Sequence, residues 1–188
     1  MVAAYSYFSP EEYLNLEANS PIRHEYRSGL VYAMAGGSDV HDLISLALVS
    51  LLRSRLKGQG CFVHSGNVKV GRNHDFFYYP DVFVTCDPRD RDNRYIKCYP
   101  SLIAEVLSPS TERFDRGAKF EDYQQLETLK TYLLISQDQM QVEVRQKNAL
   151  GIWETEQFGP GDRFQMVGWN WEIAVLDLYE DVQFLGIS

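Results

Sequence analysis

"SLIAEVLSPSTERFDRGAKFEDYQQLETLKTYLLIS", residues 101–136, places an apolar run, a polar amphipathic stretch and a second apolar run end to end. The outer segments, "SLIAEVL" and "TYLLIS", are short, apolar and rich in branched side chains, which predicts strands; the segment between them predicts a helix. The helix begins near Thr111 or near Asp115, since Gly117 lowers the local propensity. Strand, helix, strand makes this an α/β chain. Within the first strand Glu105 stands among Leu102, Ile103, Val106 and Leu107, a pattern expected of burial on both faces. A carboxylate in such surroundings requires a partner of opposite charge.

Upstream, "YYPDVFVTCD" (78–87) repeats the oddity: Asp81 opens an apolar strand where burial alone would favour Val or Ile. Taken singly, Asp81 is explained as a turn residue after Pro80. Pairing of the two strands across residues 87–99 would bring Asp81 and Glu105 close enough to share a cation. Two carboxylates at that distance repel unless a metal neutralises them or one keeps its proton. The connecting stretch, "DPRDRDNRYIK", alternates in sign and reads as a solvated loop.

Working back to the start, "SPEEYLNLEA" carries the signs of a helix N-terminus: Ser9 as cap, Pro10 in the first turn and Glu12 three residues after the serine. "IRHEYRSGLVYAMAGG" is two alternating runs about Ser28-Gly29, a β-hairpin. "SDVHDLISLALVSLLRSRLKGQG" has a cap candidate in Ser38, apolar residues at helical spacing from Val40 to Leu52, and a glycine stop. "CFVHS", "NVKVG" and "FFYY" then read as short strands, and "QVEVRQK" and "WETEQF" follow "TYLLIS" as a mostly antiparallel set.

The bulk properties limit what these elements can do. The chain has 188 residues, 45% of them hydrophobic, enough for one well-buried domain, 1–188. Its longest apolar stretch, "LISLALVSLL", is about half of what a bilayer core requires. "MVAAYSYFSPEE" lacks a basic region followed by an apolar one. No membrane span or export signal is expected. Cys61, Cys86 and Cys98 are odd in number and form no CxxC pair, so neither a disulfide framework nor a thiolate zinc site is expected, and a reducing cytoplasm is the expected setting. Cys61 and His64 fall on opposite faces of a strand, which makes the first a core residue and the second a surface one. The formal charge of −8 excludes a broad basic nucleic-acid surface. An acidic chain that acts on a polyanion needs divalent metal and a local cation to offset its own field.

"RHEYRSGLVYAMAGGSDVH", "YYPDVFV", "LIAEVLSPST", "DRGAKFEDY" and "TYLLIS", in that order, resemble the Uma-two family of restriction-endonuclease-like proteins within the PD-(D/E)XK nuclease superfamily. The resemblance runs from about Ser9 to about residue 180. It implies a central mixed, mostly antiparallel β-sheet flanked by α-helices, and a metal-dependent endonuclease hydrolysing phosphodiester bonds of nucleic acid, by default DNA. Asp81 and Glu105 match the superfamily's acidic positions, which implies a Mg2+ or Mn2+ site that activates water. Where the usual lysine would stand, two residues after Glu105, this sequence has Leu107. The resemblance points instead to Lys119 in "DRGAKFEDY".

Without the resemblance, Lys119 reads as a surface lysine paired with Asp115 one turn earlier. Glu25 reads as part of a salt-bridged strand face with Arg23 and Arg27; the resemblance makes it an accessory catalytic acid. His41, in the first turn of the long helix, and Tyr123, one turn beyond Lys119, are candidates for contacting substrate, or for filling the turn and the core respectively. A homodimer is the expected assembly. The competing reading is a non-catalytic interaction module that kept the nuclease-like sheet, favoured by Leu107 and the acidic surface. A structural oligomer subunit is the least favoured, because it leaves the buried charges without purpose.

Overall fold

A capping box starts the first helix, α1 (Pro10–Asn19): Ser9 Oγ accepts from Glu12 N at 3.2 Å and Glu12 Oε2 accepts from Ser9 N at 2.7 Å. The structure, a computed structural model, describes residues 7–34, 36–72 and 74–184. Residues 1–6, part of the stretch read for a leader, lie outside the described residues. Strands β1 (His24–Arg27) and β2 (Leu30–Ala33) form the expected hairpin. Its two turn residues, Ser28 and Gly29, both have positive φ, 44° and 93°, as the tight hairpin turn demands. The long helix α2 (Asp39–Leu56) is capped by Ser38, and Ile44, Leu48, Leu52 and Leu56 line its buried face at a spacing of one turn.

The strands that follow are β3 (Phe62–Ser65), β4 (Lys69–Arg72), β5 (Phe76–Tyr78), β6 (Val82–Thr85), β7 (Ile96–Lys97) and β8 (Pro100–Leu107). Helices α3 (Glu112–Arg116) and α4 (Ala118–Tyr123) come next, then β9 (Thr131–Ser136), β10 (Val142–Lys147), β11 (Trp153–Phe158), β12 (Arg163–Gln165), β13 (Glu172–Ala174) and α5 (Val175–Leu178). The architecture is the expected mixed, mostly antiparallel α/β, with its strands shared between two main sheets. One runs β11-β10-β9-β8-β6-β3, the other β2-β1-β5-β4-β7, and β12 with β13 forms a separate ribbon. In the six-stranded sheet only β8 and β9 are parallel, joined by the α3–α4 crossover.

Alternation along the central strands assigns their two faces. Val82, Val84, Leu102, Ala104, Val106, Leu133 and Ile135 pack with α2. Phe83, Ile103, Leu107, Tyr132 and Leu134 face the other way, against Phe120 and Tyr123 of α4 and against Val70, Phe76 and Tyr78 of the second sheet. Glu105 shares the face of Ile103 and Leu107, so it points toward α4.

Four expectations are corrected. The helix between β8 and β9 is broken in two at Gly117, where a Cβ would come 3.1 Å from the Arg113 carbonyl oxygen. Cys61 and Cys86 form a disulfide. The β3–β6 register pairs Phe62 with Thr85 and continues one step to set the two cysteines opposite, a relation the cysteine count does not carry; only Cys98 is free, and the compartment inferred from three thiols loses its basis. His64 is half-buried, its ring stacked on Phe83 at 4.8 Å, and burial pushes its imidazole pKa down. The charged loop folds onto its own buried carboxylate: Asp90 accepts from Thr85 Oγ1 at 2.6 Å, Cys98 N at 2.8 Å and Tyr99 N at 3.1 Å, and Lys97, also buried, donates to the Asp90 carbonyl.

Candidate active site

The antiparallel register of β6 and β8 pairs Val82 with Ala104, and one step further it sets Asp81 opposite Glu105. Backbone N–H groups of the facing strand ends hold the two side chains. Asp81 Oδ2 accepts from Val106 N at 2.7 Å, and Asp81 N approaches Glu105 Oε2 at 3.4 Å. Glu105 is buried, 3% exposed, while Asp81 is partly open to a cavity of about 780 Å³. This cavity lies between the β1–β2 hairpin, the N-terminus of α2, the starts of β6 and α3, and the end of β8.

Lys119 enters from α4 and is buried. Its Nζ lies 3.0 Å from Glu105 Oε1, 3.2 Å from Glu25 Oε1 and 3.5 Å from Asp115 Oδ1. The reading of Lys119 as a surface lysine therefore fails, although its contact with Asp115 is present. Glu25 does not pair with its strand neighbours: Arg27 goes to Asp122 at 2.7 Å and Arg23 to Gly66 and Asn67. Glu25 instead accepts from Tyr79 N at 3.0 Å and faces Lys119. Leu107 is buried in the core beside Phe120 and Tyr123, and the ammonium that reaches Glu105 is carried by α4, which covers the strand.

His41 lines the cavity with Nε2 3.1 Å from Asp81 Oδ2, and this hydrogen bond raises its pKa against the effect of burial. Tyr123 does not line the cavity. It is fully buried and donates its hydroxyl to Glu105 Oε1 at 3.1 Å. Two further acids went unassigned in the sequence. Asp115 lines the cavity, and its spacing from Lys119 was the available signal; Asp122, which accepts from Tyr78 at 2.5 Å and from Arg27, had none.

Four carboxylates, Glu25, Asp81, Glu105 and Asp115, thus line one cavity. Burial raises Glu105 well above the ordinary carboxylate range even with Lys119 beside it, and raises Asp115 as well. Burial works against the charge of Lys119, but Glu105, Glu25 and Asp115 outweigh it and hold the ammonium protonated. No three His, Cys, Asp or Glu side chains converge as a ready-made metal cluster among the described residues. Magnesium is commonly held by one or two carboxylates with water completing its shell, so the oxygen pair Asp81–Glu105 beside open space fits such an ion.

A restriction-endonuclease-like α/β fold with acidic residues and a buried lysine at one cavity defines a nuclease-like protein. The chain belongs to the Uma2 family, described as "Putative restriction endonuclease", which it matches over residues 10–175. It is 39% identical over 183 residues to the uncharacterized protein slr1290 of Synechocystis, covering 97% of this chain and 96% of the relative. A second uncharacterized Synechocystis protein, sll1609, is 34% identical over 151 residues, 78% of this chain and 85% of that one. The fold resembles the crystal structure of a putative nuclease belonging to DUF820 from Anabaena variabilis, with a TM-score of 0.78 at 19% identity over 92% of this chain and 98% of that one. None of the described helices is long and apolar enough to cross a membrane.

Proposed function

We propose that the chain is a Mg2+- or Mn2+-dependent endonuclease that hydrolyses phosphodiester bonds of nucleic acid, DNA by default, at this cavity. The observation that carries the reading is a buried ammonium 3.0 Å from Glu105, with Asp81 directly across the strand pair. Asp81 and Glu105 would hold the ion, which supplies Lewis-acid polarisation of the phosphate and a water of lowered pKa. Lys119 donates toward the attacking water and the oxygens that gain charge in the transition state. Glu25, fixed by Tyr79 N, and Asp115 hold that ammonium charged and aimed. Tyr123 fixes the rotamer of Glu105, and His41 steadies Asp81 while facing the incoming phosphate.

The test is cleavage of single-stranded, duplex and branched DNA with Mn2+ and with EDTA, alongside binding of the same DNAs. Cleavage with Mn2+, lost in Lys119→Ala and Glu105→Gln, is expected. Binding should be weak in EDTA, because an acidic chain has little to offer a polyanion without the ion. A folded sample that binds no divalent ion and cuts nothing refutes the reading and leaves the interaction module.

A further inference from the structure

The mouth of the cavity is built differently from its floor. Tyr32 stands in β2 directly opposite Glu25 in the hairpin register. Opposed residues share a sheet face with Cβ atoms about 5 Å apart, so the ring rises beside the carboxylate that holds Lys119. It lines the cavity and is 48% exposed. Among the described residues it stacks on no other ring and its hydroxyl makes no hydrogen bond. By contrast, its neighbour Val31 and the opposed Tyr26 turn the other way, into the small core of Tyr13 and Phe77. An exposed aromatic ring without a partner at the mouth of the cavity, beside Ala33 and Met34, is a surface open to an apolar face.

The electrostatics of the lining say which face. Its basic side chains are Arg27, His41 and Lys119, and each is committed: to Asp122, to Asp81, and to Glu105, Glu25 and Asp115. Duplex binding draws its strength from many cations set against many phosphates, and this cavity offers three, each already shared with a carboxylate. Single strands are gripped in a second way, by stacking of bases on aromatic side chains, which a duplex with its bases already stacked inside does not permit. Glu25 links the two ends of such a grip: it is opposed to Tyr32 in the hairpin and lies 3.2 Å from Lys119 Nζ, and all three line the same cavity.

We propose that Tyr32 is the stacking platform for an unpaired base and that the substrate of this cavity is single-stranded nucleic acid, the base on Tyr32 and its phosphate over Lys119. The inference rests on the nuclease reading and specifies its substrate class. Cleavage with Mn2+ is measured on a dT oligonucleotide, an rU oligonucleotide, an abasic strand of equal length and a duplex, using wild type, Tyr32→Phe and Tyr32→Ala. The dT and rU arms decide which sugar the strand carries.

Wild type is expected to cut a base-bearing strand in preference to the duplex and to lose about ten-fold or more on the abasic strand, a loss that needs no variant. Tyr32→Ala should lose a similar factor, mainly in KM and only on base-bearing strands, while Tyr32→Phe keeps activity. Equal cutting of base-bearing and abasic strands, or duplex cut as well as strand with Tyr32→Ala without effect, overturns the stacking proposal and leaves the nuclease reading standing. No cleavage of any substrate by folded wild type removes both.

Discussion

Lys119→Met keeps the length of the side chain and deletes its charge, leaving Glu105, Glu25 and Asp115 around an apolar stem. At about 3 Å each of the lost contacts carries roughly 5 kcal/mol of attraction at an effective dielectric of about 20. Most of that attraction offsets the burial of the ions themselves. The net loss is the cost of breaking a buried pair, about 3–5 kcal/mol. Part of it is recoverable. Burial already raises Glu105 and Asp115, and without the ammonium both rise further, so the stranded charge can be removed by protonation. While one carboxyl takes up a proton, the loss shrinks by about 1.4 kcal/mol for each pH unit of acidification. Urea unfolding of the metal-free protein, followed by circular dichroism at about pH 5 and about pH 8, should show a variant much weaker than wild type at the alkaline end and closer to it at the acid end, with m unchanged. A loss below about 1 kcal/mol that does not vary with pH would refute the view that Lys119 holds the acidic cluster together.

Glu105→Gln should abolish Mn2+ binding in isothermal titration and, without metal, should cost less stability than Lys119→Met, since relief of a buried carboxylate offsets the lost pairing while Glu25 and Asp115 still face the ammonium; unchanged affinity would exclude Glu105 as a ligand. The wild type without metal should lose stability as pH rises from the ordinary carboxylate range. Glu105, Asp115 and His41 are all raised in the folded state, so each contributes fully below its unfolded value and less as pH passes its folded one; a stability that climbs steadily across this window contradicts the assignment. Cys86→Ser opens a loop of separation 25 and should cost about 3 kcal/mol, with alkylation of the native protein before reduction labelling Cys98 alone.

The pairing of Asp81 with Glu105 could be read from the chain because it depends on two local facts: each acid interrupts an apolar strand, and only one loop separates the strands. The caps and the α2 stripe were legible for the same reason. What escaped depends on relations across the fold. Periodicity assigns strands but not sheet membership, so β4 and β5 gave no sign that they leave the sheet of β6. Alternating charge hid Asp90, which is buried because three donors converge on it from the loop's own return and from β6. Asp115 looked like half of a surface pair because helical spacing gives the pair and not its depth. Cys61 and Cys86 meet through strand register, which a count of thiols does not contain.

The β1–β2 hairpin belongs to one sheet, whereas Asp81 and Glu105 belong to the other. It is tied to its own sheet by two residue pairs, Tyr26 with Phe77 and Arg27 with Phe76, to the small cluster around Tyr13, and to the rest of the fold by the side chains of Arg23, Glu25 and Arg27. Such a unit opens at a lower free energy than the six-stranded sheet behind it, and its amides should exchange with solvent before those of β6, β8 and β9. Opening would carry away Glu25 and Tyr32 together and leave Asp81, Glu105 and Lys119 in register. The same excursion that uncovers the floor of the cavity would then release whatever lies against its wall, so that turnover and local unfolding of the hairpin share one coordinate.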